Sequence, residues 1–279
     1  MNIKKATGEY QPFEQAKLRE SLMRTGTPDQ FAKDVIKQAE KQEKSLRTTD
    51  KLFDFTQQML IKRDKKAAMR YRLKRGMFDL GPTGFPFEKY VARLLRDKGY
   101  NTQTGIYVRG FCVSHEVDIL AEKNKEIRLF ECKYHLRKGS RSNIKVALYV
   151  KARFEDIAKG YQEDNNANRM APKKNIKGAY LVTNTKCTSE AIKFAQCAGL
   201  GIISWRYPFN QGLESMIESS GLYPITVLLS INSIIKRRLL SLGVVTVQDI
   251  LSFGYWDRIP RHEQRFIGRL QEEARILLA

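Results

Sequence analysis

Two acidic residues and a lysine stand at strand-like spacing in the middle of the chain. Asp118 lies in the alternating segment 117–120, and Glu131 and Lys133 lie in a second such segment after a short polar turn, residues 122–126. Since residues i and i+2 of a strand share a face, a hairpin of the two segments places Asp118 beside Glu131 and Lys133. Two carboxylates and an ammonium in this arrangement can bind a hard divalent cation with a water molecule beside it. Such a site can hydrolyse a phosphodiester bond.

A solvent-facing hairpin is the alternative, in which Glu131 and Lys133 form a surface ion pair of little consequence. Asp118, set between two apolar neighbours, argues against it, because a strand buried on one or both faces seldom carries an unpaired carboxylate. His115 and His135 flank the segments. Each histidine either contacts phosphate or serves the structure alone.

The net charge predicts a polyanionic partner. The 279 residues include 50 Lys and Arg against 30 Asp and Glu, a formal charge of +20. Nucleic acid is the first expectation and an acidic membrane surface the second. The longest apolar stretches fall short of the roughly 20 residues that span a bilayer, so we expect no membrane segment. With no apolar run after the N-terminus and four cysteines without paired metal-ligand spacing, we expect a cytoplasmic protein with reduced thiols.

The periodicity of apolar residues along the sequence predicts three domains, residues 1–78, 79–220 and 221–279. The first begins with two short strands and continues with helical periodicity, which predicts a small α+β domain. The second alternates strands with helices, which predicts an α/β fold with a mixed sheet flanked by helices. The pattern of the third predicts several short helices, which would form a small all-α region.

An ordered set of segments between residues 84 and 206 resembles the PD-(D/E)xK nuclease superfamily, and more narrowly the Mrr-like restriction endonucleases. The set comprises Glu88 on the opening helix, Glu116-Val-Asp118, Glu131-Cys-Lys133, and a later strand and helix within residues 178–203. The resemblance implies a restriction-endonuclease-like sheet and a Mg²⁺- or Mn²⁺-dependent endodeoxyribonuclease.

Charge then suggests the roles. Asp118 and Glu131 are oxygen ligands for the cation. Lys133 holds the attacking water or stabilises the transition state. The resemblance implies the Cys132 carbonyl as a further ligand, and Glu88 as either the partner of a second metal through a water or a residue that positions Lys133.

Two basic loops follow the predicted catalytic strand. Their cations are Arg137, Lys138, Arg141 and Lys145 in the first loop, and Arg169, Lys173 and Lys174 in the second. Basic loops beside a cleavage centre would grip the DNA backbone without reading its sequence. A merely solvated basic surface is the alternative.

The first region resembles the ATP-cone, the regulatory nucleotide-binding domain known from ribonucleotide reductases and their repressor. The matching segments are residues 3–8, 12–14, 17–22 and 68–71. The resemblance implies ATP or dATP as an allosteric ligand, with phosphates bound by Lys5 and Lys17, and with Thr49 and Arg70 as further contacts. There is no Walker-type glycine loop to support hydrolysis. The alternative is that the lysines only solvate a small helical domain.

Residues 228–251 resemble a helix-hairpin-helix element, although the first hairpin lacks the glycines of that family. Lys236 and Arg237, with Arg238, are the candidate DNA contacts, and a small helical packing module is the alternative.

Together these features predict a cytoplasmic, metal-dependent DNA endonuclease that responds to adenine nucleotide, with restriction of foreign DNA as the setting that the resemblance implies. We expect a homodimer or higher homo-oligomer, because cutting both strands takes two sites. One rival is a nucleotide-gated DNA-binding regulator with an inactive nuclease fold. Another is a junction-resolving or repair nuclease.

Overall fold

The computed structural model describes residues 2–5, 7–167, 175–252, 254 and 256–279, and for residues 165–167 and 175 it describes the backbone alone. The chain forms two compact units. The first combines Met1–Met77 with Tyr223–Ala279, and the second is Phe78–Leu222. Of the helices in the described residues, none is both long and apolar enough to cross a bilayer.

Strands and helices alternate through the second unit, whereas helices predominate in the first. Within the described residues the strands are β1 (Asn2–Lys4), β2 (Tyr10–Pro12), β3 (Asn101–Arg109), β4 (Ser114–Lys123), β5 (Glu126–Lys133), β6 (Arg141–Ser142), β7 (Asn175–Thr183), β8 (Lys186–Cys187) and β9 (Gly201–Ile203). The α-helices are α1 (Gln15–Met23), α2 (Asp29–Lys41), α3 (Thr49–Arg63), α4 (Lys65–Tyr71), α5 (Leu73–Phe78), α6 (Phe85–Asp97), α7 (Ile144–Ala167), α8 (Ser189–Ala198), α9 (Leu213–Ser220), α10 (Ser233–Ser241), α11 (Val247–Ser252), α12 (Arg261–Gln264) and α13 (Ile267–Leu278).

The first unit joins the two ends of the chain. Leu22, Val35 and Leu60 lie in its buried core, and Leu229 from the C-terminal part packs against that core. Helix α4 contacts α13, and the Thr226 hydroxyl donates a hydrogen bond of 2.8 Å to the Gly76 carbonyl. Met1–Met77 and Tyr223–Ala279, which nearly match the predicted separate domains 1–78 and 221–279, therefore share one packed unit.

A five-stranded mixed sheet forms the centre of the second unit, in the order β3-β4-β5-β7-β9. Strands β3, β4 and β5 are antiparallel neighbours, and β7 runs parallel to both β5 and β9. Helix α6 packs on β3, β4 and β5 and contacts α9, whereas α7 packs on β7 and contacts α8. This mixed sheet flanked by helices confirms the predicted α/β class.

The hairpin of β4 and β5 confirms the predicted pairing of the two acidic segments. Its turn consists of Asn124 and Lys125, both at positive φ, 54° and 65°. Two central residues at positive φ are typical of the type I′ turn, whose twist matches that of the flanking strands. The turn fixes a register in which Leu120 pairs with Leu129, and Ile119 pairs with Phe130.

Helix α7 passes close to the backbone that follows β3. A methyl group on Gly160 would lie 2.8 Å from the carbonyl carbon of Gly110 and 2.9 Å from the nitrogen of Phe111. The Phe111 N–H also donates to the Asp156 carbonyl of α7, at 2.9 Å. Residue 160 therefore has no room for a side chain.

We predict that Gly160→Ala destabilises the protein by about 1–3 kcal/mol, the usual cost of overpacking. The sign of this change in stability is informative, because Gly→Ala within a helix otherwise stabilises a protein by up to about 1 kcal/mol. Thermal and urea unfolding would measure the change. Gly268→Ala in α13, where the added methyl group meets open space, is the matched control and should not destabilise. A Gly160→Ala protein as stable as the wild type would contradict the close packing.

Candidate active site

Asp118 lies one position beyond the last paired residues of the hairpin. Pairing of β4 with β5 reaches Ile119 and Phe130, and the same register would set Asp118 opposite Glu131. There the Asp118 Oδ2 accepts a hydrogen bond of 2.7 Å from the Cys132 N–H. A carboxylate thus takes the place of a backbone acceptor, which holds Asp118 against the end of β5. Cys132 pairs on its other side with Val182 of β7.

Glu131 is held by an arginine from α7. Arg153 Nη1 lies 2.5 Å from Glu131 Oε2, and the two side chains are only 14% and 22% exposed. The same guanidinium donates through Nη2 to the carbonyl oxygen of Glu116. Arg153 thereby ties α7 to both strands of the hairpin, at the level of Asp118.

Sequence reasoning missed Arg153, although a signal for it exists. Val150 and Ile157 are buried residues of α7, and Arg153 stands three residues after the first and four before the second. Those spacings place it on the apolar face of the helix. A charged residue on such a face indicates a buried partner, since an unpaired charge there is costly.

A third acid, Glu88 in the first turn of α6, shares the electrostatic environment of Asp118 and Glu131. Burial raises the pKa of Glu88 to about 7, and the negative charges of Asp118, Glu116 and Glu131 add to the rise. Burial likewise raises the pKa of Glu131 to about 7, with Asp118 as the next cause. The pKa of Asp118 is also raised, mainly by burial. Like charges in a partly desolvated cluster disfavour one another, and a bound cation would relieve that repulsion.

Lys133 is exposed at the end of β5. Its positive charge lowers the pKa of Asp118 and Glu131, against the larger upward effect of burial. The structure therefore brings together all four predicted catalytic residues, Glu88, Asp118, Glu131 and Lys133, in one electrostatic environment.

The donor chemistry of this cluster suits Mg²⁺ or Mn²⁺, which prefer carboxylate oxygens. Among the described residues, however, no three His, Cys, Asp or Glu side chains are already gathered as ligands around one point. Asp118 instead accepts from the backbone of Cys132, and Glu131 pairs with Arg153. A cation bound by both acids would take the place of Arg153 beside Glu131.

Both flanking histidines have partners within the protein. The His135 N–H donates to Asn184 Oδ1 and its carbonyl accepts from Asn184 Nδ2, both at 2.9 Å. The His135 ring lies 3.0 Å from the Ser142 hydroxyl. Burial, with a contribution from Lys133, lowers the pKa of His135, which favours the neutral ring. Asn184 is fully buried, and this network fixes the chain just after Lys133.

His115 belongs to a different contact. Its Nε2 lies 2.7 Å from Asp156 Oδ2, and the same carboxylate accepts from the N–H groups of Cys112 and Val113. These hydrogen bonds, the Cys112 N–H first among them, hold the pKa of Asp156 well below its usual range. Asp156, one helical turn after Arg153 on α7, thus binds the turn between β3 and β4 to this helix.

The basic residues after β5 are exposed. Arg137 and Lys138 lie in the loop, Arg141 is in β6, and Lys145 is in the first turn of α7. Arg169, Lys173 and Lys174 of the second predicted loop lie outside the described residues. These four cations are therefore exposed along the segment that follows Lys133 in the chain.

In the first unit, the four predicted nucleotide contacts fall into different surroundings. The Lys5 ammonium lies 3.3 Å from Glu9, and the Lys17 ammonium 2.6 Å from Glu14. Thr49 opens α3, and the bridge between Lys4 and Thr48 brings its segment alongside that of Lys5. The Arg70 guanidinium donates to the Thr25 carbonyl at 3.5 Å.

Helix α10 carries the C-terminal candidates. Asn232 caps it by accepting from the N–H groups of Ile234 and Ile235. Lys236 is partly exposed and Arg237 exposed. Arg238 instead pairs with the buried Glu263 at 2.8 Å, so its role is to hold α10 against the segment of Glu263.

No protein-family model matches the chain. An uncharacterized protein of Archaeoglobus fulgidus is 35% identical over 190 residues, which cover 68% of this chain and 96% of that protein. The chain therefore belongs to the family of that archaeal protein. It is also similar to a solved crystal structure, that of a protein of unknown function called AF1548. The identity is 30%, the TM-score is 0.51, and the match covers 70% of this chain and 95% of that one.

The raised pKa of Glu88 predicts a pH effect on stability. Its ordinary pKa is 4.5 and its folded value about 7, so in this range the folded state keeps a proton that the unfolded state has released. The free energy of unfolding should therefore fall as pH rises through this window. Glu88→Gln should make that fall shallower and leave the variant more stable than the wild type at pH 8.

Urea unfolding at pH 4.5, 6, 7 and 8 would measure the effect. Glu163→Gln, at an exposed position of the same unit, is the control. It measures how the loss of one surface carboxylate changes the free energy of unfolding. An unchanged pH slope in Glu88→Gln would mean that Glu88 lies outside the field of the acidic cluster.

Proposed function

We propose that the chain is a divalent-cation-dependent DNA endonuclease regulated by ATP or dATP. The observation that carries the proposal is the cluster of Glu88, Asp118 and Glu131 at the open end of the β4–β5 hairpin, with Lys133 exposed beside it. In this proposal the second unit is a PD-(D/E)xK domain of the Mrr-like kind, and residues 1–78 form an ATP-cone.

Each side chain of the cluster has a distinct task. Asp118, fixed by the Cys132 N–H, and Glu131, once released from Arg153, would hold Mg²⁺ or Mn²⁺, with the Cys132 carbonyl and Glu88 as further contacts. When bound, the cation would lower the pKa of a water and offset charge developing on the phosphate. Lys133, which is exposed, orients the attacking water and adds a positive charge where the phosphate gains negative charge.

Positive charge supports DNA as the substrate. The chain carries a formal charge of +20, and the exposed cations beside the cluster are suited to phosphate contacts that do not read sequence. These cations are Arg137, Lys138, Arg141 and Lys145, and the proposal adds Lys173, Lys174, Lys236 and Arg237. We further propose a cytoplasmic homodimer or higher homo-oligomer, since two sites are needed to cut both strands.

For the nucleotide, Lys5 and Lys17 are the proposed phosphate contacts, with Thr49 and Arg70 beside them. Both lysines form ion pairs with exposed glutamates, and exposed pairs contribute only about 0–1 kcal/mol. A triphosphate can therefore displace the glutamates at small cost, and an allosteric effect follows if it binds one arrangement of the chain better than another.

A second candidate is a nucleotide-gated DNA-binding regulator with an inactive nuclease fold. The pairing of Glu131 with Arg153 favours it, because that contact withholds one of the two principal acids from a cation. The intact set of Asp118, Glu131 and Lys133 favours the enzyme.

Lys133→Ala should reduce plasmid nicking in Mg²⁺ or Mn²⁺ by about 100-fold or more, the usual cost of removing one group that stabilises transition-state charge. DNA binding, measured by mobility shift, should persist. Lys193→Ala, an exposed lysine of α8, is the matched control and should nick as the wild type does. Binding without cleavage by the wild type under every cation and nucleotide would establish the regulator instead.

Lys5→Ala should weaken ATP binding by about 10- to 100-fold, because a charge-assisted contact to phosphate contributes roughly 1.5–3 kcal/mol. Isothermal titration with ATP and with dATP measures the loss. Lys44→Ala, at an exposed position of the same unit, controls for general loss of positive charge. Equal affinities in the two variants would contradict the assignment of Lys5.

A further inference from the structure

An exposed row of apolar and basic side chains runs along α7 to the acidic cluster. Ile144, Leu148 and Tyr149 are 37%, 47% and 55% exposed, and Lys145 is exposed among them. We name these residues the α7 stripe. Leu148 follows Ile144 by four residues, and Tyr149 follows Lys145 by four, so the members are neighbours on one side of the helix.

The stripe ends at the cluster. Arg153 follows Tyr149 by four residues, and its guanidinium lies 5.0 Å from the centre of the tyrosine ring. The same guanidinium contacts Glu131. The ring of Tyr149 is thus in contact with Arg153, the residue that pairs with Glu131 of the acidic cluster.

Charge selects the occupant of this surface. A second copy of the chain would bring its own Lys145 and the basic loop of Arg137, Lys138 and Arg141 against the same cations, which is unfavourable. A polyanion complements them. Paired DNA, however, offers mainly phosphates and sugars on its outside, which do not match exposed Leu and Tyr side chains. Unpaired nucleotides offer both phosphates and the flat faces of bases, on which aromatic side chains stack.

We propose that the α7 stripe binds unpaired nucleotides, so that the substrate of this site is single-stranded DNA or DNA with a single-stranded segment. Tyr149 stacks on a base, Lys145 contacts the backbone phosphate, and Leu148 packs against the neighbouring base. The inference deepens the proposed nuclease function and rests on it for the cleavage step alone, since binding by the stripe is measurable without cleavage.

The test uses the full chain in EDTA, so that no DNA is cut. Fluorescence anisotropy measures affinity for a labelled 15-nucleotide single strand and for the blunt duplex of the same sequence. The wild type should bind the single strand more tightly. Tyr149→Ala should weaken that binding by about tenfold, within the range for one lost stack, and change duplex affinity less than twofold.

Two further variants sharpen the result. Tyr149→Phe keeps the ring and should bind like the wild type. Phe209→Ala removes an aromatic residue that is 84% exposed in the same unit but outside the stripe, and should also bind like the wild type. Duplex affinity equal to or above single-strand affinity, or an unchanged Tyr149→Ala, would overturn the inference.

Two other outcomes separate the inference from its rivals. If Leu148→Glu converts an oligomer to a monomer in light scattering, the stripe is a subunit interface and the inference is wrong. Cleavage assays in Mg²⁺ judge the nuclease separately. A single-strand preference that depends on Tyr149, without any cleavage, would support the inference and refute the nuclease function. Duplex cleavage that is unimpaired in Tyr149→Ala would support the nuclease function and refute the inference.

Discussion

Partly buried carboxylates need a cation beside them, and in this structure an arginine provides it. Burial, with the nearby charge of Asp118 as the next cause, raises the pKa of Glu131 to about 7, even though the Arg153 guanidinium lies 2.5 Å away. Removing one partner of such a pair leaves an uncompensated charge, which is strongly unfavourable. This contact joins α7 to the hairpin, and it limits the availability of Glu131 to any other cation.

The hydrogen bond from the Cys132 N–H to Asp118 is the second constraint on the cluster. It forms where the ladder of β4 and β5 ends, so it satisfies a backbone donor that a regular antiparallel ladder would otherwise serve. The buried Asn184 also replaces a backbone partner, just beyond β5, where its side-chain amide hydrogen bonds to both the N–H and the carbonyl of His135. Side chains thus replace missing backbone partners on both sides of Lys133, which makes the end of this strand well ordered without extending the sheet.

Local patterns were sufficient for the elements that a short stretch of chain determines. The alternation around Asp118 and Glu131 and the polar turn between them predicted the hairpin, and the turn residues Asn124 and Lys125 supply the geometry that its register requires. The packing of Leu229 and Thr226 onto the N-terminal helices was not predictable in this way, because it joins residues about 150 or more positions apart in the sequence.

The sequence by itself determined that Asp118, Glu131 and Lys133 would lie near one another, since strand alternation and a tight turn act over a few residues. Glu88, on α6, joins them through the packing of that helix on the sheet. Only the tertiary structure decided which groups those acids contact. Arg153 reaches Glu131 because α7 packs across the sheet, and Asp156 holds His115 for the same reason. Burial, which sets the pKa of each acid, is likewise a property of the whole packed unit and has no local signature.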